Sequence, residues 1–120
     1  MKNKTIYLLL FHGSTRTGAL KCASAFTETL AKQSGKMVKA CFLRGQSPDL
    51  ESAINQSVTE GYARIRVIQL FLLPGAHVNE DIPDIIEKFR HSDLDIEVLP
   101  CLVELEEFAQ MLQILMNRHE

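Results

Sequence analysis

Two histidines, His12 and His77, each follow an apolar run, and each sits in a loop of small and polar residues. The first loop reads His12-Gly13-Ser14-Thr15-Arg16-Thr17-Gly18; the second reads Leu72-Leu73-Pro74-Gly75-Ala76-His77-Val78-Asn79-Glu80-Asp81. Two neutral imidazoles entering one cleft can hold a divalent metal or trade protons with a ligand. Ser14, Thr15 and Thr17 bring hydroxyls to the start of a helix, a setting that suits an anion. Gly13 and Gly18 permit close backbone approach. Arg16 and Arg44 fall at the same edge and suit ligand carboxylates. The first loop lacks the Lys-Ser/Thr ending of a phosphate-binding P-loop. His91 and His119, near a helix end and the chain end, are expected to be solvated and idle.

Such loops must be held by regular elements, and four apolar stretches alternate with four amphipathic ones. The expected strands are Thr5 to Phe11, Met37 to Leu43, Arg64 to Phe71 and Asp95 to Leu99. The first and third are nearly continuous apolar runs, as central parallel strands covered on both faces require. One helix is expected from Thr17 to Gln33, closed by Ser34-Gly35, with Leu20, Ala23, Phe26, Leu30 and Ala31 on its buried face. A second opens at Ser47-Pro48-Asp49, with Ser47 as cap and Pro48 in the first turn, and buries Leu50, Ile54 and Val58 before Gly61. A third runs from Asp81, its expected cap, to Arg90, with Pro83 in its first turn and Ile82, Ile85, Ile86 and Phe89 as its stripe. A fourth, Leu105 to Arg118, is expected to bury Phe108, Met111, Leu112 and Leu115, with Met116 near the core. About thirty residues per strand plus helix makes a βα repeat, and right-handed crossovers put helices on both faces of one parallel sheet. The flavodoxin-like order 2-1-3-4 sets a crevice between the carboxyl ends of the first and third strands, from which the loops of His12 and His77 depart.

At 120 residues the chain is expected to form a single domain over residues 1–120. A 46% apolar and 23% charged composition supports a real core. Thirteen Lys plus Arg against fifteen Asp plus Glu give a charge of −2 without a basic block, which argues against nucleic acid as partner. The apolar run from Ile6 to Phe11 stops at His12, and Arg16 and Lys21 follow, so it reads as a cytoplasmic β-strand rather than a secretory leader. No apolar stretch approaches the ~20 residues of a membrane span. Cys22, Cys41 and Cys101 are far apart, form no C-x-x-C pair, and are expected to be buried thiols.

The strand and His-Gly-Ser of Leu8 to Ser14, the Pro48 opening of the second helix, and the segment from Phe71 to Pro83 resemble the short, single-domain sirohydrochlorin chelatases of the CbiX type. The likeness runs from Ile6 to about Leu102, and Gly75, His77, Asp81, Ile82 and Pro83 at these spacings carry its specificity. It implies a chelatase-like three-layer sandwich that inserts Co2+ or Fe2+, as substrate, into sirohydrochlorin on the way to cobalamin or siroheme, with no organic cofactor. It further implies that His12 and His77 act at the metal and in catalysis, and that Ser14, Arg16, Arg44 and Gly75 meet the substrate. Related short forms pair two chains where longer relatives join two units covalently, so a homodimer is implied. Three positions depart from the family pattern. Phe11 precedes the first histidine in place of Gly, Arg44 stands near where a Glu follows the second strand, and Val103 replaces a Gly. Two other readings use the same histidines: a metal or tetrapyrrole carrier without turnover, and a histidine-nucleophile phosphatase. The second is suggested by Phe11-His12-Gly13, although the flanking Arg of those enzymes is missing.

Overall fold

A computed structural model describes residues 4–90 and 93–120, the side chains of residues 76–79 excepted. Four strands, β1 (Thr5–Phe11), β2 (Met37–Phe42), β3 (Arg64–Gln69) and β4 (Asp95–Val98), form one parallel sheet in the order β2-β1-β3-β4. Each strand is followed by a helix: α1 (Thr17–Ser34), α2 (Leu50–Thr59), α3 (Ala76–Glu87) and, after a 3-10 turn at Leu102–Glu104, α4 (Glu106–Arg118). The order is the one expected from sequence and sets β1 and β3 side by side at the centre.

Because side chains alternate along a strand, the register divides the sheet into two unlike faces. On one face, Ile6, Leu8 and Leu10 of β1 align with Ile65 and Val67 of β3, and α2 and α3 cover them with Leu50, Ala53, Ile54, Ile82 and Ile86. Each fully buried Ile, Leu or Val there contributes about 1.5–3 kcal/mol by leaving water. Cys41 lies in this core, and burial together with the charge of Asp49 pushes its thiol up to about 12. The opposite face is apolar at Leu9 and Phe42, where α1 lies against β2 with Ala23 and Thr27 buried. It turns polar at β3 and β4. Arg66 binds Asp95 at 3.0 Å and Glu97 at 3.1 Å, a charged strip across the sheet.

That strip accounts for the largest departure from expectation. α4 buries none of its side chains, and Met111, Leu112, Leu115 and Met116 are all exposed rather than packed in the core. Laying an apolar stripe over β3 and β4 would desolvate Arg66, Asp95 and Glu97, at a cost that apolar contact does not offset. The α1 stripe is narrower than expected as well: Ala23 and Thr27 are buried, whereas Leu20 and Phe26 are exposed. Val58 of α2 and the thiol-bearing Cys22 are also exposed.

Two helix starts differ from the sequence reading. α2 is capped by Asp49, whose carboxylate accepts the Ser52 amide at 2.8 Å, and not by Ser47. Pro48 lies outside the helix because its carbonyl accepts the Phe42 amide at 2.9 Å, extending the β2 pairing. α3 begins at Ala76, with Gly75 at the cap position, so Asp81 lies within the helix and Pro83 well inside it. Gly35, with φ 69°, closes α1 as expected, its amide donating to the Ala31 carbonyl.

Candidate functional site

β1 and β2 keep pairing past their ends. The Leu43 amide donates to the Phe11 carbonyl at 2.9 Å, and the Arg44 amide donates to the His12 carbonyl at 3.2 Å. This extension needs a glycine beside His12. Gly13 has φ +98°, and a β-carbon there would lie 1.7 Å from the Arg44 carbonyl oxygen. The loops after β1 and β2 are thus pressed backbone to backbone, and His12 and Arg44 are set together at the carboxyl edge of the sheet.

His12 is exposed, and its ring stands at 80° to that of Phe71 in a T-shaped contact, with centroids 5.9 Å apart. Phe71 is buried at the end of the β3 side, and its carbonyl accepts the Leu102 amide of the 3-10 turn. The side chain from β1 therefore leans over the end of β3, the expected crevice between the two central strands. Ser14 is half-buried, its hydroxyl accepting the Arg16 amide at 3.1 Å. Arg16, at the amino end of α1, and Arg44 are both exposed. Gly75 is exposed at the amino end of α3.

His77 is the second residue of α3. Its side chain lies outside the described residues, as does His91. His119 is exposed beyond α4, as expected. At the level of the backbone, the two histidine-bearing segments leave adjacent parallel strands at the same edge. Among the described residues, no three His, Cys, Asp or Glu side chains form a metal-binding group.

A hollow of about 160 Å3 opens beside His12, lined also by Phe11, Ser14, Phe42 and Gln46. Larger hollows, of about 290 and 310 Å3, lie under α3 and α2 and contain none of the residues expected to act. The chemistry-bearing side chains favour the smaller one. Gln46 was not anticipated from sequence. Its Nε2 donates to the Arg16 carbonyl at 3.4 Å, while its Oε1 is buried and has no partner among the described residues. Its one sequence signal was position, four residues beyond β2 on a loop facing the ligand edge. The edge is also apolar in part: Leu72, Leu73 and Val103 are exposed, and the Val103 amide donates to the Leu72 carbonyl.

Four parallel strands in this order, with the loops of the central strands gathered at their carboxyl ends, define a flavodoxin-like α/β fold, and open sheets of this kind receive ligands at that edge. A family model described as CbiX matches residues 6–119, and the chain belongs to the CbiX family. It is 33% identical over 93 residues to a sirohydrochlorin ferrochelatase of Priestia megaterium, covering 77% of this chain and 35% of that one. It is 32% identical over 87 residues to a sirohydrochlorin cobaltochelatase of Methanosarcina acetivorans, covering 72% of this chain and 67% of the relative. Among solved structures, a putative cobalamin biosynthesis CbiX protein from Marinobacter aquaeolei superposes with a TM-score of 0.77 over 96% of this chain and 95% of the other, at 20% identity, and so shares the fold. The sirohydrochlorin chelatase SirB from Bacillus subtilis subspecies spizizenii, in complex with cobalt, superposes with a TM-score of 0.73 at 30% identity, over 82% of this chain and 44% of SirB. The chain thus spans about a third of the Priestia ferrochelatase and less than half of SirB.

Proposed function

We propose that this chain is a chelatase that inserts Co2+ or Fe2+ into sirohydrochlorin, acting in the cytoplasm as a homodimer of single CbiX-like units over residues 1–120. The observation that carries the reading is the seat of His12, exposed at the end of β1 and leaning on Phe71 at the neighbouring central strand, in a chain of the CbiX family. Relatives named for both iron and cobalt insertion support either metal as substrate. Among the described residues, no helix is long and apolar enough to cross a membrane.

As the metal enters the ring, the pyrrole nitrogens lose their protons. A neutral imidazole at position 12 or 77 accepts such a proton or escorts the ion to the ring. Ser14, Arg16, Arg44 and Gly75 are assigned to the substrate side, the two guanidinium groups pairing with carboxylates on the macrocycle rim. The exposed Leu72, Leu73 and Val103 give its flat apolar body something to rest on. No organic cofactor enters this scheme.

The test is anaerobic mixing of the chain with sirohydrochlorin and Co2+ or Fe2+, following the absorbance change of metal insertion. His12→Ala and His77→Ala are each expected to cut the rate at least ~10-fold, a floor below the roughly 100- to 10,000-fold that a positioned acid or base contributes, with the far-UV circular dichroism unchanged. Parent-like rates in both variants would remove the histidines from the site. Tight binding of ring and metal without acceleration would favour the carrier reading.

A further inference from the structure

The loops that follow β1 and β2 stay in step beyond the sheet. The Leu43 amide reaches the Phe11 carbonyl and the Arg44 amide reaches the His12 carbonyl, both through backbone alone. One residue on, Gly45 lies against the backbone of Ser14, where a β-carbon would stand 3.5 Å from the Ser14 nitrogen. The last tie is made by a side chain. Gln46 reaches back across thirty residues of sequence to donate from Nε2 to the Arg16 carbonyl, at 3.4 Å.

Arg16 needs such a tie because its own helix does little to fix it. It is the N-cap residue of α1, but its side chain makes no capping hydrogen bond and the first turn holds no acidic residue. The Ser14 hydroxyl accepts its amide at 3.1 Å, and the Ala19 amide, in the same turn, donates to its carbonyl at 3.2 Å. Gln46 links this helix start to the loop that carries Arg44. Arg16 and Arg44 are both exposed, and among the described residues neither guanidinium has an ion-pair partner. We propose that Gln46 is a positioning residue for the macrocycle: it fixes Arg16 relative to Arg44, so that the two guanidinium groups meet two carboxylates of one rim. This rests on the chelatase reading above, in which both arginines lie on the substrate side.

The other end of the Gln46 amide argues that the residue does not serve stability. A carbonyl only accepts, so the Arg16 carbonyl takes the NH2 end and leaves Oε1 as the buried end, without a partner among the described residues. A buried acceptor left unpaired costs free energy. The hollow that Gln46 lines is walled also by Phe11, Phe42, Ala19 and Ala23. A methionine of the same length would rest among these side chains without that cost. A polar group kept at a loss beside a candidate site is the mark of function rather than of packing.

The test is a double-mutant cycle of Gln46→Met and Arg16→Ala in the full chain. It is read by absorbance titration with sirohydrochlorin alone, by KM and kcat of anaerobic Co2+ insertion, and by thermal unfolding. Gln46→Met should melt at or above the parent temperature and keep kcat, because backbone contacts of Gly13 and Arg44 set His12. It should raise Kd and KM for the macrocycle about two- to fivefold, the range of one exposed ion pair. Arg16→Ala should raise both by about fivefold on the same scale. The double variant should match Arg16→Ala, since Gln46 acts through Arg16. Gln46→Ala, which cannot overfill the hollow, gives the same cycle on a second variant. Effects that multiply in the double variant would overturn the proposal. So would a Gln46→Met chain with the parent Kd and KM, and a lower melting temperature in that case would make the residue a structural clamp. A parent that binds sirohydrochlorin without inserting metal would refute the chelatase reading, while the cycle on Kd would still decide the role of Gln46. A parent that does not bind sirohydrochlorin would overturn both.

Discussion

Substituting Gly13 by alanine strikes the feature that sets His12 beside Arg44. At φ +98° an L-residue is strained, by about 1–2 kcal/mol on the scale of left-handed backbone. The added carbon would also sit 1.7 Å from the Arg44 carbonyl oxygen, roughly half a normal contact distance, and the obstacle is backbone rather than a side chain that can swing away. The two loops must therefore separate by more than 1 Å, on the scale of a van der Waals gap. That opens the hydrogen bonds from Arg44 to His12 and from Leu43 to Phe11, each worth about 1 kcal/mol net. The expected loss is about 2–4 kcal/mol, or a fall in Tm on the order of 10 °C for a chain of this size. Thermal unfolding followed by far-UV circular dichroism reads the stability, and the insertion assay reads the site. Insertion should fall with it, since displacements near 1 Å at a reacting group cost about 100-fold. Gly18→Ala is the control, because a β-carbon there meets nothing within 4 Å, and it should be neutral or slightly stabilising. A Gly13→Ala protein that melts like its parent and retains the parent rate would refute the reasoning.

Arg44→Glu replaces an exposed positive charge next to His12 with the charge the family pattern carries. At saturating sirohydrochlorin it should raise the rate of Co2+ insertion several-fold at low ionic strength and less at ~0.5 M salt, where exposed charges are screened, while raising the KM for the macrocycle, which loses a guanidinium partner for its carboxylates. Equal rates at both salt levels would make Arg44 a bystander to the metal. Asp49→Ala should cost about 1 kcal/mol in urea unfolding at pH 7 through loss of the α2 cap. The backbone hydrogen bond from Ser52 and then that residue's side chain hold the Asp49 carboxyl below its ordinary value. A depressed acid adds stability that is present above about pH 4 and lost as the pH falls through the folded-state value. The gap between parent and variant should therefore close toward pH 2, and a gap that persists there would show that Asp49 acts by something other than its charged cap.

The sheet could be read because each of its strands repeats a simple local pattern. Ile6 to Phe11 is apolar on both faces, and Ile65 to Leu70 is interrupted only by Arg66 and Gln69, the near-continuous pattern of a central parallel strand. That alone places β1 and β3 side by side and their loops at one edge. The α2 and α3 starts were less legible, because the residues that decide them bond at a distance or share a signal. Pro48 looks like a first-turn residue until its carbonyl pairs with the Phe42 amide. Asp81 with Pro83 spells a cap and first turn, yet the helix begins at Ala76, and a proline so far inside removes one hydrogen bond without ending the helix. His12 could be found from type and place. Gln46 could not, because its buried oxygen is defined only by the loop folding back over Arg16.

α4 shows where periodicity stops being informative. A stripe at Phe108, Met111, Leu112 and Leu115 says that a face will leave water, but not whose surface will cover it. The sheet supplies the missing term. Arg66, Asp95 and Glu97 occupy the place on β3 and β4 where a doubly wound fold would seat its last helix, and their mutual pairing makes that place costly to dry. The alternating charges of Asp95 and Glu97 were visible as residues from the start. Their meaning emerged only with the register, which sets both on the same face as Arg66 and turns three scattered charges into a barrier. The polarity of one sheet face and the exposure of the last helix are therefore two aspects of one arrangement, legible only when the register and the stripe are read together.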